Sequence, residues 1–358
     1  MSTVARKDTD SVGVRAWIAQ SIKRLDDEHR SIGETPLREF PLDAMPGVRL
    51  LVKDETVQPT GSLKHRLAAS LIMYALINGK LDPEVTLIEA SSGSTAVSEA
   101  YFAQLLGLPF VAVIPEGTSP RKVEEIQRYG GECREVASAG AVQGAAAAFA
   151  DSVSGYFVDQ FTNGSAALDW RHRNLPETLM AQCELLGLDA PRWLVTSAGT
   201  GCTITTFGRY CRYRSPQTYV ALADPEGSAY FPAWRDGSRS VTCTGSVIEG
   251  IGRPTVEATC ELSVIDCAVP VPDEQSFAAV RLLHERTGIF AGGSSGTNLV
   301  ASLRLADKMR REGTTGTIVT LACDRGDRYL NTYYSDAWLV EHGYDVARAR
   351  AQLDELIA

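Results

Sequence analysis

The feature that most constrains the fold is a repeated alternation of apolar, strand-like segments with segments of helical periodicity. Segments rich in valine, leucine and isoleucine lie at 48–55, 86–90, 109–114 and 193–197, and helical patterns lie between them. Parallel strands need crossover connections, which are usually helices. The 358 residues exceed the usual size of one domain. The chain is therefore predicted to form two three-layer α/β domains with mostly parallel twisted sheets and an active-site cleft between them.

The alternation falls into two sets, and these predict the domain boundaries. Residues 48–160 are predicted to form the smaller N-terminal α/β domain, and residues 1–47 with 161–358 the larger one. The segment 160–175 is polar and is predicted to be a loop. A helix is predicted at 12–30, and the polar N-terminal residues before it are predicted to be loosely structured.

Charge and cysteine usage exclude several classes of function. The net charge of −9 disfavours a nucleic-acid or anionic membrane partner, and no apolar run reaches membrane-spanning length. The eight cysteines and five histidines are dispersed, with no Cys-x-x-Cys pair, so neither a metal site nor a disulfide framework is expected. These observations predict a reduced, cytoplasmic enzyme.

One lysine stands at a position suited to covalent chemistry. Residues 58–66 read Gln-Pro-Thr-Gly-Ser-Leu-Lys-His-Arg, and a helical pattern follows at 67–78. This places Lys64 a few residues inside a helix that Thr60 or Ser62 can cap. The positive end of the helix dipole makes an amine there less basic, which suits a nucleophile or a Schiff-base former. The alternative is an ordinary surface lysine.

Three turns of small residues separate a strand from a helix, at 91–95, 199–203 and 292–297. In open α/β sheets such turns lie at the carboxyl ends of strands, where ligands bind. The second turn, Gly-Thr-Gly-Cys-Thr, is suited to a phosphate dianion, and the first, Ser-Ser-Gly-Ser-Thr, to a carboxylate. The alternatives are a glycine turn and simple N-capping. Together with the lysine, these turns predict a pyridoxal phosphate enzyme that acts on an amino acid.

Six motifs in one order resemble those of the fold-type II pyridoxal phosphate enzymes, which have a tryptophan-synthase-β-like fold. Within these enzymes, the motifs are most similar to the cysteine synthase and cystathionine β-synthase group. The likeness covers roughly residues 35–335. The motifs lie at 59–64, 91–95, 160–161, 199–203, 250–252 and 292–296.

The resemblance implies a role for each matching residue. Lys64 would bind pyridoxal 5'-phosphate covalently and then move the substrate's α-proton. Ser294 would hydrogen-bond the pyridine nitrogen, and Ser94 would face the cofactor's phenolic oxygen. The cofactor phosphate would be held by Gly199, Thr200, Gly201, Cys202 and Thr203. The substrate carboxylate would be held by Ser91, Ser92, Thr95 and Gln160, with Gly250 passing close to the ligand.

Two of these positions depart from the family pattern. The family usually has asparagine at the position of Ser94, so the contact with the cofactor is weaker or passes through water. Cys202 replaces a usual glycine, so its backbone must avoid positive φ, and it adds a thiol beside the phosphate site. Neutral drift is the alternative reading of both. Asp324, which follows the last predicted strand, is a further candidate neighbour of the pyridine nitrogen.

Finer similarities at Lys-His-Arg (64–66), 169–171 and 248–254 are closest to the bacterial cysteine desulfhydrase branch of the family. They imply β-elimination of L-cysteine to sulfide, pyruvate and ammonia through an aminoacrylate, by a homodimer. A β-replacement synthase that uses O-acetylserine or a similar substrate plus a nucleophile is the alternative, with a serine or threonine dehydratase after it. A lapsed family member that acts as a binding partner is a different class. A nucleotide-binding protein is disfavoured because Walker and Rossmann spacings are missing.

Overall fold

The computed structural model describes residues 12–358, which form thirteen α-helices and ten β-strands. The helices are α1 (Val12–Ile32), α2 (Lys64–Ile77), α3 (Ser94–Leu106), α4 (Pro120–Gln127), α5 (Val142–Ser152), α6 (Gln160–Ala167), α7 (Leu175–Leu185), α8 (Cys202–Arg214), α9 (Tyr230–Asp236), α10 (Asp273–Thr287), α11 (Gly293–Arg311), α12 (Asp336–Glu341) and α13 (Val346–Ile357). The strands are β1 (Leu37–Phe40), β2 (Val48–Asp54), β3 (Leu87–Ala90), β4 (Phe110–Pro115), β5 (Glu132–Val136), β6 (Tyr156–Phe157), β7 (Trp193–Thr196), β8 (Tyr219–Pro225), β9 (Cys267–Val271) and β10 (Gly316–Ala322).

These elements form two compact units. The first comprises residues 12–33 and Lys64–Ala167, and the second comprises Glu34–Leu63 and Leu168–Ala358. The domain boundaries predicted from the sequence lie near residues 48 and 160. The units divide instead after residues 33, 63 and 167, because β2 pairs with β10 in the sheet of the second unit.

The first unit contains a four-stranded sheet in the order β5-β4-β3-β6. All of its strand pairs are parallel, with Ala90 of β3 opposite Val113 of β4. Ile88 and Val113 on these strands pack against Val142 and Ala146 of α5. The strands are apolar runs because helices cover the sheet, as in other parallel sheets.

The second unit contains a six-stranded sheet in the order β1-β2-β10-β7-β8-β9. Only β1 and β2 pair in antiparallel fashion, and the other pairs are parallel. Leu50, Val195 and Ile318 of this sheet lie in one core with Leu299 and Ala301 of α11. The predicted architecture of mostly parallel α/β sheets is confirmed in both units.

Two local predictions need correction. The segment from residue 160, predicted to be a loop, begins with the helix α6. Its threonine, asparagine and glycine are poor helix formers. The carbonyl of Asp159 nevertheless accepts the Thr162 and Asn163 amides, and the Asp159 carboxylate also accepts the Thr162 amide. The helix after the lysine turn begins at Lys64 itself, rather than a few residues before it.

Two further observations concern the N-terminus and the helices. The N-terminal segment predicted to be loosely structured lies in residues 1–11, outside the described part, and Val12 already begins α1. Among the described residues, none of the helices combines the length and the apolarity that crossing a bilayer requires.

Candidate active site

Lys64 is the first helical residue of α2, and a tight turn leads into it. The Gly61 amide donates to the Gln58 carbonyl at 2.7 Å, and Gly61 has φ +72°, a value that favours glycine. The next amide but one, that of Leu63, donates to the Cys323 carbonyl at 2.7 Å. Lys64 is half-buried, and the first turn of a helix places positive potential next to its amine.

The serine-rich turn at 91–95 joins β3 to α3 in the first unit. The N-cap of α3 is Gly93, and no side chain caps the helix, so N-capping does not explain these hydroxyl residues. The Ser91 hydroxyl accepts the Gly93 amide at 3.2 Å. Ser91, Ser92 and Ser94 are half-buried, as residues that contact a ligand would be.

Thr95 and Gln160 are brought together although 65 positions separate them. The Thr95 hydroxyl donates to the Gln160 side-chain carbonyl at 2.8 Å, and both side chains are buried. Gln160 is the first residue of α6. Its amide nitrogen and the Thr95 oxygen therefore have a fixed orientation in the first unit.

The turn at 199–203 joins β7 to α8 in the second unit and is built around two glycines. A Cβ atom on Gly199 would overlap the Gly250 carbonyl oxygen, and one on Gly201 would overlap Cys260. Gly201 also has φ +82°. Cys202 begins α8 and is not among the residues with positive φ, as expected for the residue that replaces glycine.

The cradle at 199–203 fits a phosphate. The first-turn amides of a 13-residue helix, among them those of Cys202 and Thr203, have no intrahelical carbonyl partner, and they attract an anion. The glycines leave the approach to these amides without side chains. Thr200 and Thr203 add hydroxyl groups.

Tyr230 and Thr259, which sequence reasoning missed, hold this turn in place. The Tyr230 hydroxyl donates to the Gly199 carbonyl at 2.5 Å, and the Thr259 hydroxyl donates to the Thr200 carbonyl. Asp224 accepts the Phe231 amide at 2.7 Å at the start of α9. Burial raises the pKa of Asp224 to about 6, while the hydrogen bonds from Ser228 and Phe231 act against this shift. No local pattern identifies Tyr230 or Thr259, because only the fold brings them to the turn.

Ser294 lies in the first turn of α11 and is buried. Asn298, one turn later, accepts the Ser197 amide at 2.7 Å and donates to the Leu321 carbonyl at 3.1 Å. It thus ties α11 to the carboxyl ends of β7 and β10, which are neighbouring strands. Ser294 and the turn at 199–203 therefore lie at the same edge of the six-stranded sheet.

Asp324 and Cys323 follow β10 at this edge. Asp324 accepts the Tyr329 hydroxyl at 2.6 Å. Burial raises the pKa of the Cys323 thiol to about 12, which a hydrogen bond with Ser294 partly offsets. Because a thiol with this pKa stays neutral at pH 7, Ser294 has an uncharged neighbour.

The predicted residues thus fall into two groups, one in each unit. The first group offers an amine, hydroxyls and an amide, namely Lys64, Ser91, Ser92, Ser94, Thr95 and Gln160. The second offers a phosphate cradle and a buried hydroxyl, namely Gly199, Thr200, Gly201, Cys202, Thr203, Gly250 and Ser294. These donors match the aldehyde, phosphate and pyridine groups of pyridoxal phosphate, so the residues fit that cofactor.

Comparisons with known proteins agree with this chemistry. The family model described as "Pyridoxal-phosphate dependent enzyme" matches residues 29–324. The chain is 45% identical to the L-cysteine desulfhydrase Cds1 of Mycobacterium tuberculosis over 347 residues, covering 95% of this chain and 94% of that protein. It is 33% identical to cysteine synthase 2 of Schizosaccharomyces pombe, covering 86% and 83% of the two chains.

Among solved structures, that of O-ureido-L-serine synthase has a TM-score of 0.75 and 27% sequence identity, and the match covers 88% of this chain and 98% of that one. The matched region of the family model includes the lysine, the serine-rich turn and the phosphate cradle. The chain therefore belongs to the family of pyridoxal-phosphate dependent enzymes.

Proposed function

We propose that this protein is a pyridoxal-phosphate-dependent carbon–sulfur lyase that converts L-cysteine and water into sulfide, pyruvate and ammonia. The observation that carries the proposal is the 45% identity to an L-cysteine desulfhydrase over 95% of the chain. Substrate specificity resides in residues spread along a chain, so a likeness of this extent is stronger support than any one motif.

Most of the predicted residues have a role in this proposed reaction. The bound cofactor supplies an electron-accepting ring beside the substrate's α-carbon. The cradle at 199–203 binds the cofactor phosphate, and the Ser294 hydroxyl hydrogen-bonds the pyridine nitrogen. A neutral serine does not hold a proton on that nitrogen, which favours loss of the β-substituent over transamination.

The first unit supplies the amino-acid site. The Gln160 amide, the Thr95 hydroxyl and the hydroxyls of Ser91 and Ser92 bind the substrate carboxylate and fix its orientation. The Lys64 amine carries the cofactor between turnovers and removes the α-proton as general base. Its position at a helix N-terminus lowers its basicity, so it can act near neutral pH.

A β-replacement synthase is the second candidate. It is supported by the similarity to cysteine synthase 2 and to O-ureido-L-serine synthase. Both reactions remove the α-proton and expel a β-substituent. They differ only in whether water or an added nucleophile consumes the product of elimination.

Product analysis separates the two reactions. The holoenzyme is given L-cysteine alone, and sulfide, pyruvate and ammonia are measured over time. Equal amounts of the three products without a second substrate are expected for the lyase. Turnover only when O-acetylserine and sulfide are supplied would contradict the lyase and support the synthase. A protein that takes up no cofactor would contradict both.

We also propose that the protein is a cytoplasmic homodimer. The family resemblance supports the dimer, and the eight free cysteines support a reducing compartment. Light scattering at micromolar concentration should give twice the 38.7 kDa of one chain. A mass of one chain would contradict the dimer.

A further inference from the structure

Two glutamates of the first unit lie in its interior beside the predicted carboxylate site. Glu89 is on β3 and Glu99 is on α3, and both are 0% exposed. Ionised side chains are almost never buried to this degree without compensating partners. The serine-rich turn connects the two elements, so both carboxyl groups are built into the scaffold of that turn.

Glu89 is linked by hydrogen bonds to Gln160. One of its oxygens accepts the Ala90 amide at 2.8 Å, and the other accepts the Gln160 backbone amide at 3.2 Å. The Gln160 side chain in turn accepts the Thr95 hydroxyl at 2.8 Å. A single network therefore runs from the buried carboxylate to the two groups assigned to the substrate's carboxylate.

Glu99 is not expected to be ionised while Glu89 carries a negative charge. Burial raises the pKa of Glu89 to about 7, and its two backbone hydrogen bonds act against this shift. Burial and the neighbouring Glu89 raise the pKa of Glu99 well above its usual value. No backbone amide of the described residues donates to Glu99. The ionised form is thus favoured at Glu89, and the protonated form at Glu99.

Three other titratable groups face the pair. Asp159 raises the pKa of Glu89, and Lys64 lowers that of Glu99. Tyr156 on β6 stays neutral, since burial raises its pKa to about 12. The predicted catalytic lysine and the pair therefore influence each other electrostatically.

We propose that Glu89 and Glu99 hold one proton between them, carried by Glu99, and that this pair positions Gln160 to bind the carboxylate of the amino-acid substrate. The inference rests on the proposed function in its assignment of Gln160. An ionised Glu89 can accept from Ala90 and Gln160 at once, and a protonated Glu99 can donate to it. A second negative charge would repel the first and release the start of α6.

Two substitutions of Glu99 separate the proton from the bulk of the side chain. Glu99→Gln keeps a neutral donor of the same shape, whereas Glu99→Leu keeps the volume and removes the donor. Kinetics of the holoenzyme with L-cysteine should show a KM within about twofold of wild type for the glutamine variant. We expect about a tenfold higher KM for the leucine variant, because a buried carboxylate has lost a hydrogen bond. The kcat should change less than KM in both.

The matched control is Glu84→Gln, at an exposed glutamate of the same unit. It should leave KM and kcat unchanged. A leucine variant with the wild-type KM would overturn the positioning role. A glutamine variant as impaired as the leucine variant would show that Glu99 does not carry the proton.

A readout without turnover comes from unfolding by urea between pH 5 and 8. Raised carboxyl pKa values mean that the folded state binds protons more tightly than the unfolded one. Their stabilisation is present below about pH 4.5 and is lost as the pH rises through about 7 and above. Glu99→Gln removes one of these groups, so its stability relative to wild type should increase with pH, and Glu84→Gln should follow the wild type.

Parallel pH profiles of wild type and Glu99→Gln would overturn the shared proton. This measurement does not depend on the reaction. A wild-type enzyme that releases no sulfide would contradict the proposed function, and the unfolding profiles would still decide whether the pair shares a proton.

Discussion

The predicted chemistry of Lys64 depends on its position as the first residue of a helix. As the first residue of α2, it is held at the positive end of a 14-residue helix, and its side chain is half-buried. The positive potential at a helix N-terminus acts against a positive charge on a side chain there. The preceding turn was enough to single out Lys64 as a candidate from the sequence. Its exact position at the start of α2 is known only from the structure.

Lys64→Ala should abolish the visible absorbance of the lysine-bound cofactor. It should also lower kcat for β-elimination by about 10²–10⁴-fold, the usual contribution of a positioned general base. Absorbance spectra and pyruvate assays measure the two effects. The control Lys80→Ala, at an exposed lysine of the same unit, should change neither. Wild-type turnover by Lys64→Ala would contradict the assignment.

Asp224 should make stability depend on pH. Burial raises its pKa in the folded protein to about 6, from an ordinary value of 3.8. Its contribution to stability is therefore present below about pH 3.8 and is lost as the pH rises through 6. Asp224→Asn is always neutral. It should therefore gain stability relative to wild type between about pH 4 and 7, by on the order of 2–3 kcal/mol at most.

Urea unfolding at about pH 4 and at about pH 7 measures this gain in stability. The control is Asp189→Asn, at an exposed aspartate of the second unit. An equal difference between Asp224→Asn and wild type at the two pH values would contradict the raised pKa.

At the scale of elements, the phosphate cradle depends on two backbone segments that pass each other without side chains. The Gly199 carbonyl accepts a hydrogen bond from the Tyr230 hydroxyl. The Gly250 carbonyl oxygen occupies the space that a Cβ atom on residue 199 would need. The sequence shows the glycines, but it does not show why residue 199 must be a glycine. Its partner is 51 positions away.

Gly199→Ala should weaken cofactor binding by at least tenfold and destabilise the protein by about 1–3 kcal/mol, because the added methyl overlaps backbone that cannot rotate away. Titration of the apoprotein with pyridoxal phosphate and thermal unfolding measure these effects.

Gly144→Ala is the control, since Gly144 lies in α5 with no atom near its Cβ position. It should be neutral or stabilising by about 0.5–1 kcal/mol. Unchanged cofactor affinity in Gly199→Ala would contradict the tight contact.

Strongly patterned central strands could be predicted from the sequence, and the two edge strands of the six-stranded sheet could not. The bounds of β3 and β7 agree to within one residue with the predicted segments 86–90 and 193–197, because each is a short apolar run that ends at small or polar residues. Sequence reasoning missed β1 and β9, which are the two edges of the six-stranded sheet. The latter contains Pro270, which a strand accepts only where one side needs no hydrogen bonds.

At the scale of the whole molecule, all eight cysteines lie in the described part of the chain and are free thiols. Burial raises the pKa of Cys183 to about 11 and those of Cys211 and Cys260 to about 12. Because the thiolate is the reactive form, these residues should resist alkylation in the folded protein.

A thiol titration tests this prediction. Without reductant, the unfolded protein should yield eight reactive thiols per chain. In the folded protein, some thiols should react in a fast phase and the buried thiols in a slow phase. Fewer than eight thiols after unfolding would reveal a disulfide. Eight equally fast thiols in the folded protein would contradict the burial.

The sequence by itself determined the α/β class and the family, and it predicted the lysine and the small-residue turns as candidate site residues, since these depend on local patterns and on the order of motifs. Only the tertiary structure decided which distant residues support them. Thr95 meets Gln160 and Tyr230 meets Gly199 because elements far apart in the chain pack together. Glu89 lies beside Glu99 because the consecutive elements β3 and α3 pack together. Side-chain pairing and buried charge follow from that packing, and no local sequence period records them.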